Sequence, residues 1–518
     1  MHSRRLLGVI FTVAVAMLSA TFGTAFGETA GSAAAPNYGG DLVIARLGDM
    51  KGLDPLPTYE PETLITLLAI METPLANGGD GKIAPQLATS LTLGGDGLTW
   101  TMKLREGVQF SNGAPLTSAD VKFSIDRARL SSEGFSYLLA PIAVVNVVDD
   151  LTLQIVTSKP TAYLPSLMTL WIIGVVPADY GGKTRKEFFE APIGTGPFTF
   201  SAWTPGKSVT LLRNKNYWQK GKPYLDSVTW TQVPDDNSRV VQIQGGKAQI
   251  AAALPFSAAD QVDAIGGVSV KEFNSSIVWF LIFNQSKPVF QDAHVRRAIA
   301  MALDKKSMLQ AVNFGRGSAA CSILPPSMPY HSDTVPCLAF DVEAAKAEMA
   351  ASSVPNGFST SLLIGGTDTA AGTFAEIAVA NLAQIGINLT IDKVDPAQLY
   401  DIQSQGGYDM IYQWWASDIV DPNEQLTFML DPGIGGTQSY WSFYNNAEIV
   451  DLLAKGRSEF SDEARSKLYA KVQDLQAADV PHVPILYSPG MFAVSDKVHG
   501  FDVLRTGTYF LQNIWLEK

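Results

Sequence analysis

Cysteine, histidine and cationic side chains are all scarce in this 518-residue chain, and each scarcity removes a class of function. Its 38 Lys and Arg stand against 50 Asp and Glu, a formal charge of -12. A nucleic-acid partner requires a basic surface to neutralise phosphates, so none is expected. Of the five histidines, His294, His331, His482 and His499 fall outside the N-terminal leader and show no ligand-like spacing. No Cys-x-x-Cys, His-Glu-x-x-His or Gly-x-Ser-x-Gly occurs, so no metal, no cofactor and no catalytic residue is expected. Gly182, Lys183 and Thr184 imitate the end of a phosphate-binding loop, but Pro177 stands where the motif needs its first glycine. The chain therefore reads as a protein without enzymatic activity.

Long apolar runs are missing too, apart from Leu6 to Leu18. Arg4 and Arg5 precede that run and Ala25, Phe26 and Gly27 close it, which is the pattern of an export signal over 1–27. The run is short of the ~20 apolar residues of a spanning helix. With no cysteine near the cleavage region to carry a lipid, a free periplasmic protein is expected. The two cysteines, Cys321 and Cys337, lie in a Pro-rich segment, where an oxidising compartment favours a disulfide that staples the loop.

With 46% hydrophobic and 17% charged residues, a chain of this length folds into more than one globular lobe. Alternation begins at Asp41 and recurs from Thr99 to Leu104, where Trp100, Met102 and Leu104 share one face. Thr117 and Asp120 have capping-box spacing ahead of Val121, Ile125 and Ala128, so a helix is expected from about Ser118. Ile277 to Phe283 reads as a buried strand, followed by a helix from Asp292. Phe358 to Ile364, a helix over Thr373 to Gln384, and Ile387 to Ile391 form a β-α-β unit with a parallel strand pair.

The stretch from Val394 to Ala454 has no Lys, Arg or His, yet carries nine acidic residues, among them Asp418, Asp421 and Glu424. Tyr412, Trp414, Trp415 and Trp441 lie in it, side chains able to stack on a ligand or attract a cation through the ring face. Core packing accounts for such aromatics equally well. Asp418 follows a strand, where the crevices of α/β domains open.

PIGTGPF from Pro192, LLRNKNYWQKGKPYLDSV from Leu211, FNQSKPVFQDAHVRRAIAMALDK from Phe283 and WASDIVDP from Trp415 together resemble the dipeptide, oligopeptide and nickel-binding proteins of ABC importers. The resemblance implies an α/β, two-lobe periplasmic-binding-protein fold of the large type, with an extra subdomain in the first lobe and a hinge. Lobe I is expected over 38–283 plus 489–518, with the inserted subdomain at about 60–190, and lobe II over 284–488. The implied function is capture of a small solute, a di- or oligopeptide or an amine-bearing, opine-like compound, between closing lobes. A monomer that hands its ligand to ABC permease subunits is implied, and a sensory or chaperone role on the same fold, or a periplasmic hydrolase, is the alternative.

In peptide-binding members an aspartate after a tryptophan in W-x-x-D-x-x-D-P pairs with the ligand's α-amino group, a position matched here by Asp418 and Trp415. Trp414, Tyr412 and Trp441 from the same stretch, with Tyr59, Tyr137 and Trp279, complete the expected binding set. Dipeptide binders also carry a basic residue near the start of the helix expected at Thr373. Here Gly365 to Gly372 holds no cation, leaving backbone amides and hydroxyls to meet an anion.

Overall fold

The computed structural model describes residues 35–79, 81–366, 368–434, 439 and 441–518; the expected export signal lies outside them. Among the described residues no helix is long and apolar enough to cross a membrane. The strand Asp41–Arg46 buries Leu42 and Ile44 completely. It runs parallel to Ser227–Gln232 on one side and Ile250–Ala252 on the other, inside a seven-stranded sheet. The outer strands of that sheet include Val268–Phe273 and Gly490–Ser495, so its residues come from both ends of the chain.

Inserted between strands of this sheet is a smaller antiparallel sheet of Ala88–Leu93, Thr99–Leu104, Thr152–Thr157 and Ile142–Asp149. The helix Ser118–Arg129 covers it. Its start is set by Asp120, whose carboxylate accepts the Thr117 N–H at 2.8 Å. Trp100, Met102 and Leu104 then meet Val121, Ile125 and Ala128 in one core, which joins the period-two and period-3.6 patterns of the sequence.

A six-stranded sheet organises the second lobe. Its strand Val278–Phe283 is apolar at every position and central, flanked antiparallel by Met410–Trp415 and His482–Tyr487. Leu281 and Phe283 face one core, Val278, Phe280 and Ile282 the other, so an uninterrupted apolar run is what two-sided burial demands. Phe358–Gly365 and Ile387–Val394 pair in parallel around the helix Thr369–Ala383. That helix starts four residues before the expected Thr373, because Asp368 accepts the Ala371 N–H at 2.9 Å and caps it there.

The chain passes between the large sheets at 274–277 and again at 488–489. The first passage precedes the expected 283, since two-sided burial draws Val278–Phe283 into the second sheet. Ser275 Oγ donates to the Ser488 carbonyl at 2.5 Å, tying the two passages together. Cys321 and Cys337 are joined by a disulfide in the second lobe.

Candidate functional site

Strand Met410–Trp415 ends at the mouth of the second sheet, and the next six residues form the junction with the first lobe. Ser417 is locked to the passage between lobes: its N–H donates to Ser276 Oγ at 3.0 Å. Asp421 then caps the helix Pro422–Leu430 by accepting the Asn423 N–H, with Pro422 at the first helical position, where its missing N–H does no harm. Arg465 clamps Asp421 through both carboxylate oxygens, at 3.0 and 2.9 Å. The strand end, the hinge tether and the cap leave Asp418 half-buried on the loop between them.

Ile419 and Val420 are buried, and Ile419 belongs to the core of the inserted subdomain together with Leu56, Leu164 and Trp171. Ser166 Oγ reaches the Val420 carbonyl at 3.5 Å, and the Ala162 N–H donates to the Arg457 carbonyl at 2.9 Å. The two lobes therefore meet beside Asp418. No cation bonds its carboxylate among the described residues; its neighbour is Glu424, whose Oε2 accepts the N–H groups of Asp418 and Ile419, both at 3.0 Å. Burial pushes the Asp418 carboxyl up, opposed by its hydrogen bond with Glu424. Burial, followed by the charge of Asp418, pushes Glu424 up as well.

The expected aromatics divide into four groups. Trp414 is 45% exposed and lies on the same strand face as Tyr412, with Trp279 beside both. Tyr412 itself is buried between Phe374, stacked at 3.7 Å, and Trp279 at 5.1 Å, so its ring faces are taken. Trp415 points to the opposite face and stacks on Phe428 at 4.4 Å, a consequence of the two-residue period of a strand. Trp441 is 6% exposed in the core of the second lobe, where its carbonyl accepts the Tyr408 hydroxyl. In the first lobe, Tyr59 and Tyr137 both pack on Phe135, and Phe135 meets Trp171 edge-on at 5.5 Å. Tyr59 is exposed, and Phe135 packs on the same core that receives Ile419.

Sequence reasoning missed Ile419, Phe135, Trp171 and the role of Glu424. The six-residue spacing from Asp418 to Glu424 carries no periodic signal, because a loop and one helical turn bring the two together. Elsewhere, four donors surround the buried Glu72: Gln86, Thr195, Tyr217 and Trp218, at 2.8 to 3.2 Å. This carboxylate has a full complement of hydrogen bonds and is an internal brace of the first lobe.

Comparison with known proteins agrees with this architecture. Residues 82–437 match the profile of bacterial extracellular solute-binding proteins, family 5, middle region. The glutathione-binding protein GsiB of Escherichia coli is 25% identical over 472 residues, 90% of this chain and 92% of its own. The periplasmic binding protein DppA of Helicobacter pylori, associated with an ABC transporter and solved with the peptide STSA, superposes with a TM-score of 0.81 at 25% identity, covering 93% of this chain and 99% of that one. The binding protein AgaA from A. tumefaciens, solved with agropinic acid, gives 0.80 at 28% identity over 92% of this chain and 99% of that one. These are two-lobe binding proteins, not enzymes. The chain belongs to the family 5 bacterial extracellular solute-binding proteins and is a substrate-binding component of the ABC-importer type.

Proposed function

We propose that this protein captures an amine-bearing solute, a di- or oligopeptide or an opine-like compound, and that Asp418 takes the ligand's ammonium group. The observation that carries this reading is a half-buried carboxylate at the meeting line of two lobes, with no cationic partner among the described residues. An ammonium withdrawn from water needs such a partner, since an unpaired buried charge costs several kcal/mol. Trp414, on the strand that leads to Asp418, offers an exposed ring, and Tyr59 and Tyr137, packed on Phe135, are the aromatics we assign to the ligand from the first lobe. Ligand bridging the lobes favours the closed arrangement, which periplasmic permease-facing surfaces of an ABC importer then receive. The relatives that bind glutathione, a peptide and agropinic acid support this ligand range. An N-terminal export signal over 1–27 and a periplasmic location complete the proposal.

The test is mass spectrometry of ligand released from the denatured protein, followed by titration of glutathione, the peptide STSA and agropinic acid into native protein and Asp418→Ala. An amine-bearing solute is expected, and the variant should weaken it by about 100-fold or more, the cost of removing one partner of a buried pair. A ligand without an amine, or one indifferent to Asp418→Ala, would refute the anchor.

A further inference from the structure

Glu424 is 2% exposed, and its Oε1 has no hydrogen-bond donor among the described residues, while Oε2 accepts two backbone N–H groups. Because Oε2 sits on the Asp418 N–H, the Glu424 carboxyl lies against the residue that carries the second carboxyl, with no cation bonded to either among the described residues. Two like charges this close in a buried place disfavour each other's ionised form, so one carboxyl of the pair is the one to hold a proton. The surrounding charges are engaged elsewhere. Asp421 is bonded to Arg465, Arg457 to Asp431 at 3.0 Å, and Tyr163 of the inserted subdomain lies against Asn423 and those arginines. Gln425, next in the helix, is held by Ser417 Oγ and the Ile323 carbonyl.

We propose that Glu424 is a second anchor for the ligand's cation, and that the empty site holds one proton between Glu424 and Asp418, which the cation displaces into solvent. This deepens the amine-anchor reading and rests on it. No bond in the ligand changes: the O–H of the carboxyl pair breaks, its proton passes to water, and the ligand's N–H groups take its place. Capture is therefore stronger at neutral pH than in acid, and the site selects a permanent positive charge over a neutral polar group of the same size.

The experiment uses the tripeptide Ala-Ala-Ala and its N-acetylated form as probes, titrated by calorimetry between pH 5 and 8 in two buffers of different ionisation heat. For the native protein, affinity for the free tripeptide should approach a tenfold gain per pH unit on the acid side, about one proton released per ligand. Glu424→Gln keeps an oxygen for the two N–H groups and an amide N–H for Asp418, so it should fold, bind the probe more weakly than native protein at pH 8 through Asp418 alone, and lose the pH slope. Asp418→Asn is the second variant and should lose the slope together with the binding. A native affinity flat across this range, or an unchanged slope in Glu424→Gln, would overturn the proposal. If the acetylated probe binds equally well, the amine reading fails by itself, and thermal melting of ligand-free protein decides the proton. A proton held natively but released on unfolding makes native stability fall relative to Glu424→Gln as pH rises from 5 to 8, and parallel curves would refute it.

Discussion

Asp418 and His482 show burial acting in opposite directions on an acid and a base. For Asp418 it favours the protonated form, whereas for His482 it favours the neutral ring and lowers its pKa to about 3. His482 is completely buried, edge-on to Phe280, and neither ring nitrogen has a hydrogen-bond partner among the described residues. Its folded value lies below the 6.5 of an unfolded chain, so stability is lost as pH falls from 6.5 towards 3, the window in which only the unfolded state takes up the proton. Replacing it by Leu should remove that part of acid sensitivity. The difference between native and His482→Leu unfolding free energies should change by about 2–3 kcal/mol between pH 7 and pH 4.5, measured by urea titration. A difference constant with pH would show that the ring is solvated in the native state.

The loop closed by Cys321 and Cys337 supports the helix that follows Asp418 and the passage between the lobes. Ile323 and Leu324 within it are fully buried, the Ile323 carbonyl accepts the Gln425 amide, and Ser327 Oγ donates to the Ser275 carbonyl at the passage between lobes. A cross-link spanning 16 residues stabilises by about 3 kcal/mol in the chain-entropy view. Reduction should therefore lower the urea midpoint of the second lobe, and Cys321→Ser with Cys337→Ser should reproduce the loss without reductant. Equal midpoints for oxidised and reduced protein would mean that packing of Ile323 and Leu324 alone holds the loop.

Across the whole molecule, the two lobes also meet through contacts other than the Asp418 carboxylate. Ile419 enters the subdomain core, the Ala162 N–H meets the Arg457 carbonyl, and Arg316 pairs with Asp260 at 3.0 Å from the opposite lobe. Burying an isoleucine contributes about 1.5–3 kcal/mol, so Ile419→Ala should shift the equilibrium towards open and weaken any ligand about 10- to 100-fold. Small-angle scattering of the ligand-free variant should show a larger radius of gyration than native protein. An unchanged radius together with unchanged affinity would mean that the ligand alone supplies the closing energy.

Local chemistry was readable directly along the chain. Period-two alternation marked Thr99–Leu104, the Thr117 and Asp120 spacing marked the helix start at Ser118, and an uninterrupted apolar run marked Val278–Phe283, because strand pleat, capping and two-sided burial act over a few neighbouring residues. Long ordered segments such as WASDIVDP were enough to indicate the family and to single out Asp418. Alternation could not say which face of Met410–Trp415 meets a core, so Trp414 is the most open of its aromatics, while Tyr412 is buried and Trp415 half-buried against Phe428. Pairings across hundreds of residues, Ile419 with Leu164 and Trp171, or across a loop and a helical turn, Asp418 with Glu424, came only with the folded chain. Contacts of that kind depend on where whole elements stop and turn, which no residue's neighbours in sequence encode.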